Sequence, residues 1–248
     1  MSQLDALLAA VIAARDDDAP RRAYAAAVRA SDPARAQLIE LQLGARATRR
    51  QGGAPSTTDL KTATELVRQH GPRWAGKLHD LTPRYWFWGG FPEHVEIAAS
   101  ALVANASKLT AATPLRHLRL TGSKRFIREL AALPLMEQLA SLDLTSNGIT
   151  DVDVAELVAS PRLHRIRALI LTANPISLDA HRAIARANLP SLRFVDATET
   201  DAPLVIREQD WNGATTDVAF TRARGTLVQE VGHRPWLDAL DEPSLDVL

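Results

Sequence analysis

The sequence has no cysteine, which excludes disulfides, thiolate nucleophiles, iron–sulfur clusters and cysteine-based zinc sites together. It also lacks a surplus of either charge. Its 248 residues carry 29 Lys+Arg against 29 Asp+Glu, for zero formal net charge. A general nucleic-acid or anionic-membrane binder needs a basic surplus, so neither a nucleic-acid nor a membrane partner is expected. Long apolar runs are missing as well. The longest near the start, Leu7 to Ala14, is eight residues, against the ~20 that cross a bilayer. It follows Asp5 rather than a basic segment, unlike a secretory signal, and the expectation is cytoplasmic residence. Lysine is reduced to Lys61, Lys77, Lys108 and Lys124; the many arginines and alanines around them read as coding bias rather than function. What is present, 46% hydrophobic and 23% charged residues, is ordinary globular composition.

Leu4, Leu7, Leu8, Val11 and Ile12 recur at helical spacing and form one apolar stripe. Asp16-Asp17-Asp18 and Pro20 end that helix and begin another, since proline suits the first helical turn. The three aspartates lack the alternation and glycine of a calcium loop and read as an acidic helix cap. The second helix carries Tyr24 and Val28, and a third, after Asp32-Pro33, carries Leu38, Ile39, Leu41 and Gln42. Arg46 to Ser56 has no apolar period and holds Gly52, Gly53 and Pro55, which predicts a linker or loop. Thr58-Asp59 then caps a helix with the stripe Leu60, Ala63, Leu66 and Val67, expected to end at Gly71-Pro72.

The stretches Asp17-Asp18-Ala19-Pro20-Arg21, Tyr24-Ala25, Asp32-Pro33 with Arg35, and Leu38-Ile39-x-Leu41-Gln42 resemble the bacterial repeat-companion domain, a short helical module found beside tandem repeats. The resemblance covers about the first 45 residues and implies no enzymatic activity.

The middle of the chain repeats. LRHLRLTGS begins at Leu115, LASLDLTSNGI at Leu139, IRALILTANPI at Ile166 and LPSLRFVDA at Leu189. Pairing Val95/Ile97, Leu118/Leu120, Leu142/Leu144, Leu169/Leu171 and Leu192/Phe194 places successive strands 23–27 residues apart, inside the range of leucine-rich repeats. Asn147 and Asn174 fall in register, with Ser100, Ser123 and Ala197 in the same column. Each asparagine can bond the backbone where the chain leaves its strand. Helical segments such as Val152–Leu157 and Ala180–Ala187 separate the strands. The expected fold is α/β: a short ribonuclease-inhibitor-like leucine-rich-repeat solenoid with a parallel sheet of about five strands. Leu142 and Leu169 should be buried at neighbouring levels of one core.

Aromatics cluster in Tyr85-Trp86-Phe87-Trp88-Gly89-Gly90-Phe91, where they would seal the open end of the repeats. The stretch from Arg84 through Val95-Glu96-Ile97 and Leu115–Leu120 also resembles the region that follows the repeat-companion module in its leucine-rich-repeat proteins. At the far end, Leu204-Val205-Ile206 and Val218-Ala219-Phe220 flank Trp211-Asn212-Gly213, a hairpin signal. Trp236-Leu237 should pack back on the body, and Asp238 to Leu248 should form a mobile tail. The expected division is a helical module over 1–45, a linker or loop over 46–57, a helix and aromatic cap over 58–91, repeats over 92–200, and a hairpin cap and tail over 201–248. The helical module should dock, with Leu7, Val11, Leu38 and Leu41 buried against one another and against the segment around Trp74–Trp88.

No nucleotide-loop, dinucleotide-binding, zinc-protease or serine-elbow motif occurs. The histidines are scattered; His94 and His117 lie one repeat apart, but no third ligand follows in that row, so neither a metal nor a cofactor is expected, and no catalytic residue. Strand alternation predicts a concave face with the central row Glu96, Arg119, Asp143, Ile170 and Arg193, flanked by His94, His117, Ser141, Ala168 and Ser191. The leading expectation is a monomeric, non-enzymatic adaptor that binds a protein or peptide through Glu96, His117, Arg119, Asp143, Ile170 and Arg193. The alternative is a regulator of a GTPase or ATPase switch protein; a hydrolase ranks third.

Overall fold

Helix starts in the first part of the chain fall on oxygen-bearing side chains. In the computed structural model, which describes residues 2–14, 16–198, 200–201, 226–231 and 234–238, α1 (Gln3–Ala13) opens with a capping box between Ser2 and Asp5. Asp32 accepts from the Arg35 N–H at 3.1 Å to start α3 (Pro33–Arg50), and Ser56 accepts from the Asp59 N–H to start α4 (Thr57–Ala75). Ahead of α2 (Ala19–Val28), Asp17 accepts from the Ala19 N–H at 2.8 Å. Asp18 does not cap; its carboxylate meets Arg46 at 3.0 Å. The short α5 (Lys77–Leu81) and the antiparallel pair β1 (Tyr85–Trp88) and β2 (Phe91–Ala98) follow.

The chain is α/β and divides into two compact units, one of residues up to 95 together with 107–115, the other of 96–106 with 116 onward. It passes between them inside β2 and inside α6 (Ala99–Ala112). In the first unit, Val11, Ala25, Val28, Ala36, Ile39, Leu43 and Phe91 form one apolar cluster, with Leu8 and Tyr24 packed against it. The helices therefore pack on the aromatic segment: Tyr24 meets Phe91 edge-on at 5.2 Å, and Gln42 donates to the Phe87 carbonyl and accepts from the Gly90 N–H. Gly90, at φ +85°, brings backbone so close to α3 that a Cβ there would collide with Ile39. Val11 and Leu38 are buried as expected, while Leu7 and Leu41 are half-buried.

Two boundaries differ from expectation. The linker placed at 46–57 does not begin until Gln51, because α3 runs on to Arg50. Arg46 is held there by Asp18 and, at 3.8 Å, by Glu93, and Arg21 pairs with the same Glu93, both fully buried. Charge pairing, invisible to an apolar-period reading, extends the helix. Likewise α4 does not end at Gly71-Pro72 but continues to Ala75. Gly71 is buried against Val67 and Phe87, so the glycine serves packing rather than termination. The expected hairpin over 204–220 and the tail from 239 lie outside the described residues.

In the second unit β3 (His117–Thr121), β4 (Ser141–Asp143), β5 (Ala168–Ile170) and β6 (Phe194–Asp196) pair in parallel, in chain order. α7 (Ile127–Ala132), α8 (Asp151–Val158) and α9 (Leu178–Arg186) connect them and pack on one another in sequence. A helix over 226–231, α10, and α11 (Pro235–Asp238) end the described chain. Leu118, Leu120, Leu142, Leu144, Leu169 and Leu171 are all at most 1% exposed, which places Leu142 and Leu169 at adjacent levels of the core.

The last strand is shifted from the expected register. Leu169 pairs with Val195 rather than Leu192, and the Arg167 carbonyl accepts from the N–H groups of Arg193 and Phe194. The motif is Leu192-x-x-Val195-x-Ala197, so Thr200 takes the column assigned to Ala197. Thr200 Oγ1 donates to the Ala197 carbonyl at 2.7 Å. Ser100 is not in a turn either, since it lies in α6.

Asn174 accepts from the N–H groups of Asn147 and Ile149, both at 3.0 Å, and donates to the carbonyls of Leu144, Leu171 and Thr172. Asn147 in turn accepts from the Ser123 N–H and donates to the carbonyls of Leu120 and Thr145. Each asparagine thus ties its own turn to the preceding one. Asn174→Ala strands two buried donors and should cost about 2–4 kcal/mol in chemical denaturation. Asn174→Asp keeps the acceptor but sets a buried carboxylate oxygen against the carbonyls of Leu144, Leu171 and Thr172, so it should cost at least as much.

Asp32 supplies a pH-dependent tie in the first unit. Partial burial pushes its carboxyl up, but the Trp74 indole N–H, the Arg35 N–H and the Arg73 guanidinium outweigh that and hold it below its ordinary value. A depressed folded-state pKa stabilises above the unfolded value of ~3.9 and is lost as pH falls through the folded value. The stability deficit of Asp32→Asn, measured by urea denaturation, should therefore be full at pH 6 and shrink progressively below pH ~4.

Candidate functional site

Side chains of β3–β6 that alternate with the leucines emerge on the opposite face of the sheet. Pairing sets Arg119, Asp143, Ile170 and Asp196 side by side in one row. Arg193, expected in this row, is not there: the three-residue shift of β6 puts Asp196 in its place. Arg193 is exposed and donates from Nη1 to the carbonyls of Pro190 and Leu192. Glu96 is half-buried in β2.

Asp143 is oriented by its own strand exit, where Oδ1 accepts from the Thr145 N–H at 2.8 Å and the Thr145 hydroxyl at 2.6 Å. Oδ2 then lies 3.6 Å from Arg119 Nε, an ion pair at the long end of contact. Asp196 repeats the device with the Thr198 N–H and hydroxyl. This Asp-x-Thr recurrence is the sequence signal that would have placed β6 correctly.

The flanking row closes where an open face was expected. His117, Ser141, Ala168 and Phe194 are all at most 5% exposed. His117, expected on a binding surface, is buried with its Nδ1 at 2.8 Å from the Ser141 hydroxyl. Parallel stacking places like positions at ~4.8 Å spacing, so a ring beside a serine finds its partner within the sheet and turns away from solvent. Burial of both groups also keeps any substrate carbonyl from this serine. His94, the other half of the histidine pair, stacks on the half-exposed Trp86 at 4.7 Å.

Exposure also falls along the row. The Arg119 side chain is 43% exposed and Asp143 26%, Ile170 is half-buried and Asp196 fully buried. Thr121 is exposed, Thr145 half-buried, and Thr172 and Thr198 buried. The accessible patch therefore comprises Arg119, Thr121, Asp143, Thr145 and Ile170: one cation, one anion, two hydroxyls and an aliphatic surface. No cluster of three metal-ligating side chains occurs among the described residues. Such a patch can hydrogen-bond, pair with a charge and bury a small apolar group.

Stability and surface chemistry separate here. Arg119→Ala removes only a long, exposed ion pair and should change unfolding free energy by less than about 1 kcal/mol. Asp143→Ala removes the acceptor of two Thr145 bonds and should cost about 1–2 kcal/mol, as thermal denaturation of the two variants would record. No family model, curated protein or solved structure matches the chain.

Proposed function

We propose that this protein is a non-enzymatic leucine-rich-repeat module, with a repeat-companion helical segment at its start, that binds a protein or peptide partner in the cytoplasm. The observation that carries the reading is the accessible patch Arg119–Thr121–Asp143–Thr145–Ile170 on the sheet face opposite the leucines. It offers charges of both signs, hydroxyls and one apolar spot without an exposed nucleophile–base pair, a composition that suits a polypeptide better than a reacting small molecule. The strand spacing, the asparagine ladder and the parallel pairing support the repeat assignment, and solenoids bind through extended faces of this kind. Among the described residues no helix is long and apolar enough to cross a membrane.

The test is capture from extracts of the native cell with the full chain and two variants, Arg119→Glu and Ile170→Asp, against Arg125→Glu, exposed in the short 3-10 helix Lys124–Phe126, as control. A partner recovered by the parent chain and the control, and lost at least about tenfold with both patch variants, is the expected outcome. Capture indifferent to Arg119 and Ile170, or substrate turnover by the purified chain, would overturn the reading.

A further inference from the structure

The arginine displaced from the sheet row belongs to a different feature. At the end of α9 a cavity of about 270 Å³ is lined by Ile184, Leu192 and Trp236, with Asn188, Arg193 and Arg234 around it. The apolar members are 1%, 2% and 5% exposed, so its floor is fixed core, and α11 packs on β6 beside it. Both arginines are exposed. Arg193 is held by Nη1 bonds to the Pro190 and Leu192 carbonyls, which fixes the guanidinium while leaving its other donors without a partner among the described residues. Arg234 has no partner among them.

Among the described residues no carboxylate lines the cavity. Among the described side chains, the acidic groups of α9 and α10 are already taken, since Arg182 binds Asp179 at 2.8 Å and both oxygens of Glu230 at 2.6 and 2.7 Å. Two cations beside an apolar floor, with Asp179 and Glu230 paired to Arg182, form a site that is positive among the described residues. A guanidinium fork matches a carboxylate, and the volume lies just below the range of drug-sized pockets.

We propose that this cavity binds a small organic acid, with its carboxylate between Arg193 and Arg234 and a compact aryl or alkyl body on Ile184, Leu192 and Trp236. The site is separate from the sheet-face patch, and its occupancy does not depend on the adaptor reading.

The test follows the Trp236 indole N–H resonance of the full chain, assigned with Trp236→Phe, during titration with benzoate, inorganic phosphate, benzyl alcohol and a short peptide ending in a free phenylalanine carboxylate. Benzoate should shift the resonance saturably, and phosphate and benzyl alcohol, each lacking half of the chemistry, should bind at least about tenfold more weakly. Arg193→Gln and Arg234→Gln, both on exposed side chains, should each weaken benzoate about tenfold or more, whereas Arg128→Gln should leave it unchanged. A resonance unmoved by benzoate, or an affinity indifferent to both arginines, would overturn the proposal. So would binding of the peptide alone, which would assign the site to a polypeptide end.

Discussion

Strands of three residues make few ladder hydrogen bonds, and the turns that leave them carry backbone groups with no partner of their own. In the second unit that deficit is met by asparagine. Asn174 engages five backbone groups across two consecutive turns, and Asn147 engages three in the same way one level earlier. An amide is the one side chain that offers acceptor and donors from a single short stem, so it can satisfy its own turn and the preceding one together. The turns accept a local cost for this geometry. Ser146 and Ala173, immediately before the two asparagines, adopt φ of 56° and 54°, where the equivalent residue of the previous turn is Gly122 at 64°. A left-handed non-glycine residue costs about 1–2 kcal/mol, and the buried hydrogen bonds outweigh it.

The first unit is organised by a different constraint, the burial of charge. Arg21 and Glu93 are fully buried and paired, Arg46 joins them to Asp18, and Arg35 lies 4.9–5.3 Å from the ring centres of Phe91, Trp74 and Phe87. Burial pushes the Arg35 guanidinium down to about 10, only partly offset by Tyr24 and Asp32, so it remains charged at neutral pH and rests on the electron-rich ring faces. Removing one member of such a set leaves the others desolvated and unpaired, whereas apolar replacement of all of them need not destabilise. The arrangement fixes which surfaces of α2, α3 and the β1–β2 pair meet, a specificity that interchangeable aliphatic contacts would not impose.

On the sheet face, the row of alternating charges does not become a uniform groove. Exposure declines from Arg119 to Asp196, and the flanking histidine and serine turn to each other. The accessible chemistry is concentrated at β3 and β4, and the cavity beside α9 carries two exposed arginines, Arg193 and Arg234. Two surfaces of different character, one mixed and shallow, one cationic with an apolar floor, thus sit on the same unit.

The sequence by itself determined the α/β class, the parallel order of the strands from Leu118 to Leu171, the role of Asn147 and Asn174 and the residues of the leucine core. Each depends on local periodicity, which one repeat length of chain is enough to express. It did not determine the register of β6, because LPSLRFVDA fits the leucine spacing from Leu189 and from Leu192 alike; the choice rests on Val195 and Ala197 filling the core while Asp196 receives its Thr198 bonds. Nor could it extend α3 to Arg50 or bury His117, since the partners responsible, Asp18 and Glu93 in one case and Ser141 in the other, lie 24 to 47 residues away in the chain. Long-range electrostatic and hydrogen-bond partners exist only once the chain has folded, and they decide which polar side chains remain at the surface.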